Sequence, residues 1–288
     1  MFFSLIIPTY NVEDCLFTCV DSIFSQSFSD FEIIVVDGLS TDNTVGIIKN
    51  YCTKHNNIHL NSEKDNGIYD AMNKGIKSAN GEWLLFLGSD DTFHNEHVLW
   101  SVYQSIQTHS EPKMIYGNVK IIGNNNWAKD GQIYDGEFDL NKLLKKNISH
   151  QCIFYHKSIF NEVGFFNQGY IICADWDFNL RCFAKIDVQY INLIVANFSA
   201  GGLSSSTLKN DTFLNLDFVD NCASYFGTSI YNSLFKNHYH VLLNKAIWFF
   251  QNKKYGKGLN HFFAALYLTD NKIYCLKVFI KSIVFQKS

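Results

Sequence analysis

The sequence predicts an α/β fold, a doubly wound and mostly parallel sheet over the first two-thirds of the chain, with a helical region appended. Three observations carry this. The runs FFSLIIP, FEIIVVD and EWLLFLG are consecutively apolar and of strand length, as in strands buried on both faces. Segments with apolar residues at helical spacing separate them, such as Leu16, Val20, Ile23 and Phe24. Strand and helix then alternate at the rhythm of a parallel sheet.

Each element follows in order. Phe2 to Pro8 is the first strand, TYNVED a turn, and Glu13 to Ser25 a helix. Phe31 to Asp37 is a second buried strand, ending on a carboxylate. GLSTDNT turns into a helix through about Tyr51, with Ser40, Thr41 and Asp42 as candidate caps. IHLNSE is a third strand. A helix from about Ile68 stops at Gly81, and EWLLFLG is the fourth strand. MIYGNVKIIG is a further strand, and the polar stretch from Asn124 to Phe138 is a loop or hairpin. DLNKLLKKN is a short helix; HQCIFYHKSIFNEVGFFN reads as strand then helix; ADWDFNLRCF is helical. VQYINLIVANFSAGGLS gives one or two strands and a Gly-Gly turn, and helices dominate from about Leu208. The expected division is residues 1–205 as the sheet domain and 206–288 as a helical C-terminal region.

Composition bounds the function. With 288 residues, 47% hydrophobic and only 2 Pro, the chain has enough material for a sizeable core. The net charge of -3 gives no global attraction to nucleic acid. The charge is uneven, however. From Lys236 to Ser288 there are nine Lys and one acid, Asp270, which leaves 15 basic residues and 26 acids elsewhere. Eight Cys lack zinc-type spacing, and Cys15 and Cys19 read as small buried residues. His238 and His240 have no third ligand at such spacing and read as surface residues. The apolar start is strand-length with no basic leader, and no stretch reaches the length of a spanning helix. These features fit a reduced, cytoplasmic protein.

In such sheets, ligands bind beyond the carboxyl ends of the strands. Three of those ends are polar here: Thr9-Tyr10-Asn11, Asp37, and Ser89-Asp90-Asp91. Asp37 fits either a turn that caps the next helix or an acceptor for a base or ribose. One of Asp90 and Asp91 would cap a helix starting near Asn95. The pair is better explained by a divalent cation, Mg²⁺ or Mn²⁺, shared with a diphosphate. Asp175 and Asp177 point about 200° apart on a helix, so only one can face a cleft, either as an acid favouring the macrodipole or as a general base. Neither G-x-G-x-x-G nor G-x-x-x-x-G-K is present, which argues against a dinucleotide oxidoreductase or a P-loop NTPase.

Taken in order, SLIIPTYN, FEIIVVDGLSTDNT, DNGIYDAMNKGIKSANGEWLLFLGSDD, SHQCIFYHKSIF and ADWDFNLRCF resemble glycosyltransferase family 2, in its bacterial surface-polysaccharide members. The resemblance spans roughly Phe2 to Ser205. It implies a GT-A fold and inverting transfer from a nucleotide diphosphate sugar, usually a UDP-sugar. It places Thr9, Tyr10 and Asp37 at the base, Asp65 facing the nucleotide, and Asp90 at the last acid of a D-x-D metal motif. Ser89 and Asp91 join the nucleotide-sugar side. Asp175 matches the catalytic base, His150 and Gln151 a pair near the acceptor, and Gly202 and Ser204 a loop near the diphosphate. Two departures stand out: Gly88 at the first D-x-D position, which shifts ribose contact to Asp91 or the backbone, and Ala174 in place of the Glu of an E-D pair.

The tail segments KAIWFFQNKKYGKGLNHFFAALY and NKIYCLKVFIKSIVFQK mix Lys with aromatic and aliphatic residues. They fit a helix lying on an anionic membrane, or one whose apolar face packs on the protein. A lipid-diphosphate-linked sugar as acceptor favours the membrane, and with it a peripheral position at the inner face of the cell membrane. Two rivals remain. A sugar-phosphate nucleotidyltransferase would need a Gly-rich basic loop where PTYNVEDCL is acidic. A non-catalytic nucleotide-sugar-binding module would have lost the acids at positions 90, 91 and 175.

Overall fold

Strands without a polar face need cover on both sides, and three of them have it. β1 (Phe3–Thr9), β2 (Phe31–Asp37) and β4 (Trp83–Phe86) are buried almost throughout. The computed structural model describes residues 1–108, 112–124, 128–201, 211–227, 231–269 and 271–284. The chain forms two compact units, Met1–Ser206 and Thr207–Ser288.

In the first unit α1 (Leu16–Phe24), α2 (Thr44–Lys54) and α3 (Ile68–Ser78) alternate with β1, β2, β3 (Ile58–Ser62) and β4. Then follow β5 (Thr92–Phe93), α4 (Val98–Thr108), β6 (Met114–Ile122), β7 (Ile133–Tyr134) and α5 (Leu140–Leu143). A 3-10 turn at His150–Cys152 leads into β8 (Ile153–His156), α6 (Ile159–Glu162), α7 (Ala174–Lys185) and β9 (Val188–Ser199). The sheet order is β3-β2-β1-β4-β8-β6-β9-β5, with β7 on β6. β3, β2, β1 and β4 are mutually parallel, and β6 and β9 run the same way; β8, β5 and β7 oppose them. The register sets Thr9 beside Asp37 and Asp37 beside Ser62, so three carboxyl ends share one edge.

Several boundaries depart from expectation. α3 ends at Ser78, because Ala79 turns extended. Gly81 is no helix stop: its N–H donates to Ser4 Oγ at 2.8 Å, beside β1. The helix after Asp91 begins at Val98, and its Leu99 N–H is met by Gln26 Oε1 at 3.0 Å, so neither Asp90 nor Asp91 is needed as a cap. At the start of α2, Asp42 is the residue that accepts from Thr44 N–H, at 3.0 Å. Residues 188–199 form one continuous strand.

The second unit contains α8 (Phe218–Phe226), α9 (Tyr231–Gln251), α10 (Tyr255–Leu268) and α11 (Lys272–Val284). Phe262 stacks on Phe279 with centroids 4.0 Å apart, and Phe250 meets Phe279 edge-on at 5.0 Å. These rings tie the last three helices together. Lys245, buried on α9, pairs with Asp220 of α8. Among the described residues, no helix is long and apolar enough to cross a membrane.

Candidate active site

The ends of β1, β2 and β3 meet on Asp37. It is fully buried, and its carboxylate accepts from Ser40 N–H at 3.1 Å, Ser62 Oγ at 2.7 Å, the Ser40 hydroxyl, and more distantly Thr9 Oγ1 at 3.4 Å. A buried carboxylate without such donors would be costly. Thr9 is buried, whereas Tyr10 projects into solvent at 62% exposure. Asn11 ties the turn after β1 to the turn after β2: its N–H donates to Ser40 Oγ at 2.8 Å, and its Oδ1 accepts from Thr41 N–H at 2.8 Å. Asp65, half-buried, accepts from Gly67 N–H at 2.9 Å. Its Oδ2 lies 2.5 Å from where a Cβ of Gly38 would stand, so it packs onto the turn that follows Asp37.

The end of β4 divides its carboxylates. Asp90 is exposed and Ser89 partly so. Asp91 is 1% exposed; its Oδ1 accepts from Ser199 N–H and its Oδ2 from Gln151 Nε2, both at 2.9 Å. It therefore faces the protein, which reassigns it from a ribose contact to a brace between β4, the 3-10 turn and β9. Burial, reinforced by the charge of Asp90, pushes its pKa up to about 7. Gly88 permits this arrangement. A Cβ there would overlap Asp91 Oδ2 and stand 3.1 Å from Asp90 Oδ1. The Cys19 thiol of α1 supports the same turn by donating to the Gly88 carbonyl at 3.4 Å.

Adjacent residues of the 3-10 turn then connect two sites. Gln151 holds Asp91, while His150 Nδ1 lies 3.5 Å from Asp175 Oδ2. His150 is also close enough for its positive form to favour ionised Asp90 and Asp91. Asp175, 9% exposed, opens α7 at the positive end of its macrodipole. Its Oδ1 accepts from Trp176 N–H and faces the Tyr69 hydroxyl, both at 2.9 Å, and its Oδ2 accepts from Asn147 Nδ2 at 2.9 Å. Burial, then the charge of Asp175, pushes the Tyr69 phenol well up, so it remains a donor. Asp177 turns away and pairs with Arg181 Nε at 3.0 Å. Gly202 and Ser204 lie outside the described residues.

Sequence reasoning missed Tyr69, Asn147 and Ser199. Tyr69 sat inside the quoted NGIYDAMNKG segment and was the one legible signal; the other two are brought in by long-range folding.

A divalent cation is consistent with this chemistry: two neighbouring carboxylates, Asp91 raised by burial and then by the charge of Asp90, both close to Gly88. No cluster of three or more His, Cys, Asp or Glu side chains suited to a metal occurs among the described residues, so such a cation would need oxygens from a ligand.

A mostly parallel sheet whose strand ends carry acids, with an antiparallel half and a helix starting on a buried carboxylate, is a fold of the GT-A type. The family model of glycosyl transferase family 2 matches residues 4–164, and the chain belongs to that family and is a glycosyltransferase. It is 40% identical over 216 residues to a PGL/p-HBAD biosynthesis glycosyltransferase of Mycobacterium bovis (strain BCG / Pasteur 1173P2), covering 74% of this chain and 82% of that one. Its fold matches S. aureus TarS 1-349 in complex with UDP, with a TM-score of 0.65 at 18% identity, covering 98% of this chain and 89% of that one. It also matches the mannosyltransferase PcManGT of Pyrobaculum calidifontis in complex with GDP-Man and Mn²⁺, with a TM-score of 0.56 at 14% identity, covering 99% and 81%.

Proposed function

We propose that the protein is an inverting hexosyl- or N-acetylhexosaminyltransferase. It moves a sugar from a UDP-sugar to a hydroxyl of a growing, lipid-diphosphate-linked glycan of the bacterial surface-polysaccharide kind. The observation that carries this is the pairing of His150 with Asp175 and of Gln151 with Asp91 within one turn. It links the acids at the end of β4 to a candidate base. Complexes of similar folds with UDP, UDP-GlcNAc and GDP-Man support a nucleotide-sugar donor.

Thr9, Tyr10, Asp37 and Asp65 take the nucleotide. Asp90, braced by Asp91, would hold Mn²⁺ or Mg²⁺, which when bound offsets charge on the leaving diphosphate. Asp175 takes the proton of the acceptor hydroxyl. That oxygen bonds to the anomeric carbon as the bond to the diphosphate breaks, and the electron pair leaves with UDP. One displacement inverts the anomeric centre.

A panel of UDP-sugars with Mn²⁺ and a lipid-diphosphate sugar, read by mass and by the anomeric configuration of the product, tests this. Transfer with inversion is expected. Asp175→Asn should bind donor yet lose roughly 10²–10⁴-fold in rate. Retained configuration, or consumption of sugar phosphate with release of pyrophosphate, overturns the reading.

The second unit supports an anionic membrane surface as partner. On α10, Tyr255, Leu259, Phe263 and Tyr267 are exposed at steps of four residues, which forms one ridge. On α11, Ile273, Leu276 and Ile280 share a face, flanked by exposed Lys277 and Lys281. Apolar ridges bordered by Lys suit the interface of acidic lipids. The full chain should pellet with phosphatidylglycerol vesicles, and the Phe263→Glu/Ile280→Glu variant should not. Equal pelleting, or a self-association that the variant dissolves, sinks this reading.

A further inference from the structure

Asp175 is the end of a hydrogen-bond chain, half-buried at Asn147 and fully buried beyond it, that no part of the proposed chemistry uses. Tyr155 OH donates to Asn179 Oδ1 at 2.8 Å, Asn179 Nδ2 to Asn147 Oδ1 at 2.9 Å, and Asn147 Nδ2 to Asp175 Oδ2 at 2.9 Å. Tyr155 and Asn179 are fully buried. The direction of this chain is determined. An ionised carboxylate only accepts, so Asn147 must present its NH₂ and turn its carbonyl to Asn179. Asn179 in turn must present its carbonyl to Tyr155, whose phenol is held protonated by burial. Trp176 Nε1, donating to the Leu143 carbonyl at 2.7 Å, pins the start of α7 against α5 just ahead of Asn147.

A carboxylate offers about four lone-pair positions. Oδ1 accepts from Trp176 N–H and faces the Tyr69 hydroxyl, which also reaches the Ile172 carbonyl, and Asn147 occupies one position on Oδ2. The fourth lies on Oδ2, beside His150 Nδ1 at 3.5 Å, which is beyond an ordinary N–H···O bond.

We propose that Asn147 is a positioning residue: backed by Asn179 and Tyr155, it orients Asp175 so that one lone pair of Oδ2, on the His150 side, receives the acceptor proton. This rests on the reading of Asp175 as the base. The chain acts at the proton-transfer step and not on the donor. The titratable groups facing Asp175 are His150, Tyr69, Tyr134 and Tyr155, and burial pushes all three phenols up.

The test compares Asn147→Ala, Tyr155→Phe and Asp175→Asn in the full-length chain, with melting temperatures to check folding. For Asn147→Ala, kcat should fall by about 10- to 100-fold with the donor KM unchanged, since loss of orientation costs on that scale. The acid limb of its kcat profile should move to higher pH, because a donor to the charged form has gone. Tyr155→Phe, which keeps the core shape, should shift the same limb in the same direction by less. An unchanged profile in both variants, with Asp175→Asn inactive, overturns the positioning role and leaves the base standing. Substantial transfer by Asp175→Asn instead overturns the base reading itself. A rise in donor KM without a fall in kcat would place Asn147 in donor binding and overturn the proposal.

Discussion

The space left by the absent side chain of Gly88 is filled by the Asp91 carboxylate, with Asp90 Oδ1 3.1 Å from where a Cβ would stand. An acid at position 88 and an inward Asp91 are therefore mutually exclusive. Gly88→Asp is expected to destabilise by about 1–3 kcal/mol through overpacking. The double variant Gly88→Asp/Asp91→Ser should recover most of the loss in thermal melts. An unchanged melting temperature in the single variant would contradict this.

Asp90 is the exposed acid of the pair, so a cation shared with the diphosphate depends on it more than on Asp91. In titrations of UDP release against Mn²⁺, Asp90→Asn should lose roughly 10²–10³-fold in rate, the equivalent of several kcal/mol of charge stabilisation. EDTA should abolish transfer by the parent protein. Normal Mn²⁺ activation of Asp90→Asn would refute the assignment.

Glu32 anchors the other end of the sheet. Burial alone would raise its pKa, but the Ser4 hydroxyl, the Asn80 N–H and side chain, and the Gly81 N–H together outweigh burial and hold it below 4.5. Its contribution is thus complete above about pH 4.5. In more acid solution the unfolded chain binds the proton first, and stability falls with pH. Glu32→Gln should cost about 1–3 kcal/mol near neutrality and flatten this acid dependence in urea unfolding between roughly pH 3 and 6. An equally steep acid dependence in the variant would exclude Glu32 as its source.

Phe279→Ala removes both the stack on Phe262 and the edge contact with Phe250. A loss of about 3–5 kcal/mol is expected for such a truncation. Hydrogen exchange should find α10 and α11 unprotected while β1, β2 and β4 keep their protection. Uniform loss across both units would mean that the two do not unfold separately.

The buried strands were legible because a strand covered on both faces has to be apolar at every position, as in Ile33 to Val36. β5 and β7 were not, since two residues carry no periodicity. The acids Asp90 and Asp175 announced themselves as charges after apolar runs or at a helix start. Their supports did not: Ser199 meets Asp91 across 108 residues and Asn147 meets Asp175 across 28, and no local pattern encodes such meetings. The resemblance already set Asp90, at the metal motif, apart from Asp91, but only burial shows Asp91 to be a brace and not a ribose contact.

β4 pairs in parallel with β1 on one side and antiparallel with β8 on the other. It is a seam between two differently built halves of one sheet. On one side, the ends of β1, β2 and β3 assemble the donors around Asp37. On the other, the 3-10 turn ahead of β8 carries His150 and Gln151, and α7 carries Asp175. Changes of register or loop length on the β8 side leave the pairing of β1 with β2 untouched. The parallel half and the antiparallel half thus meet in the sheet only through β4, whose end carries the turn of Gly88, Asp90 and Asp91.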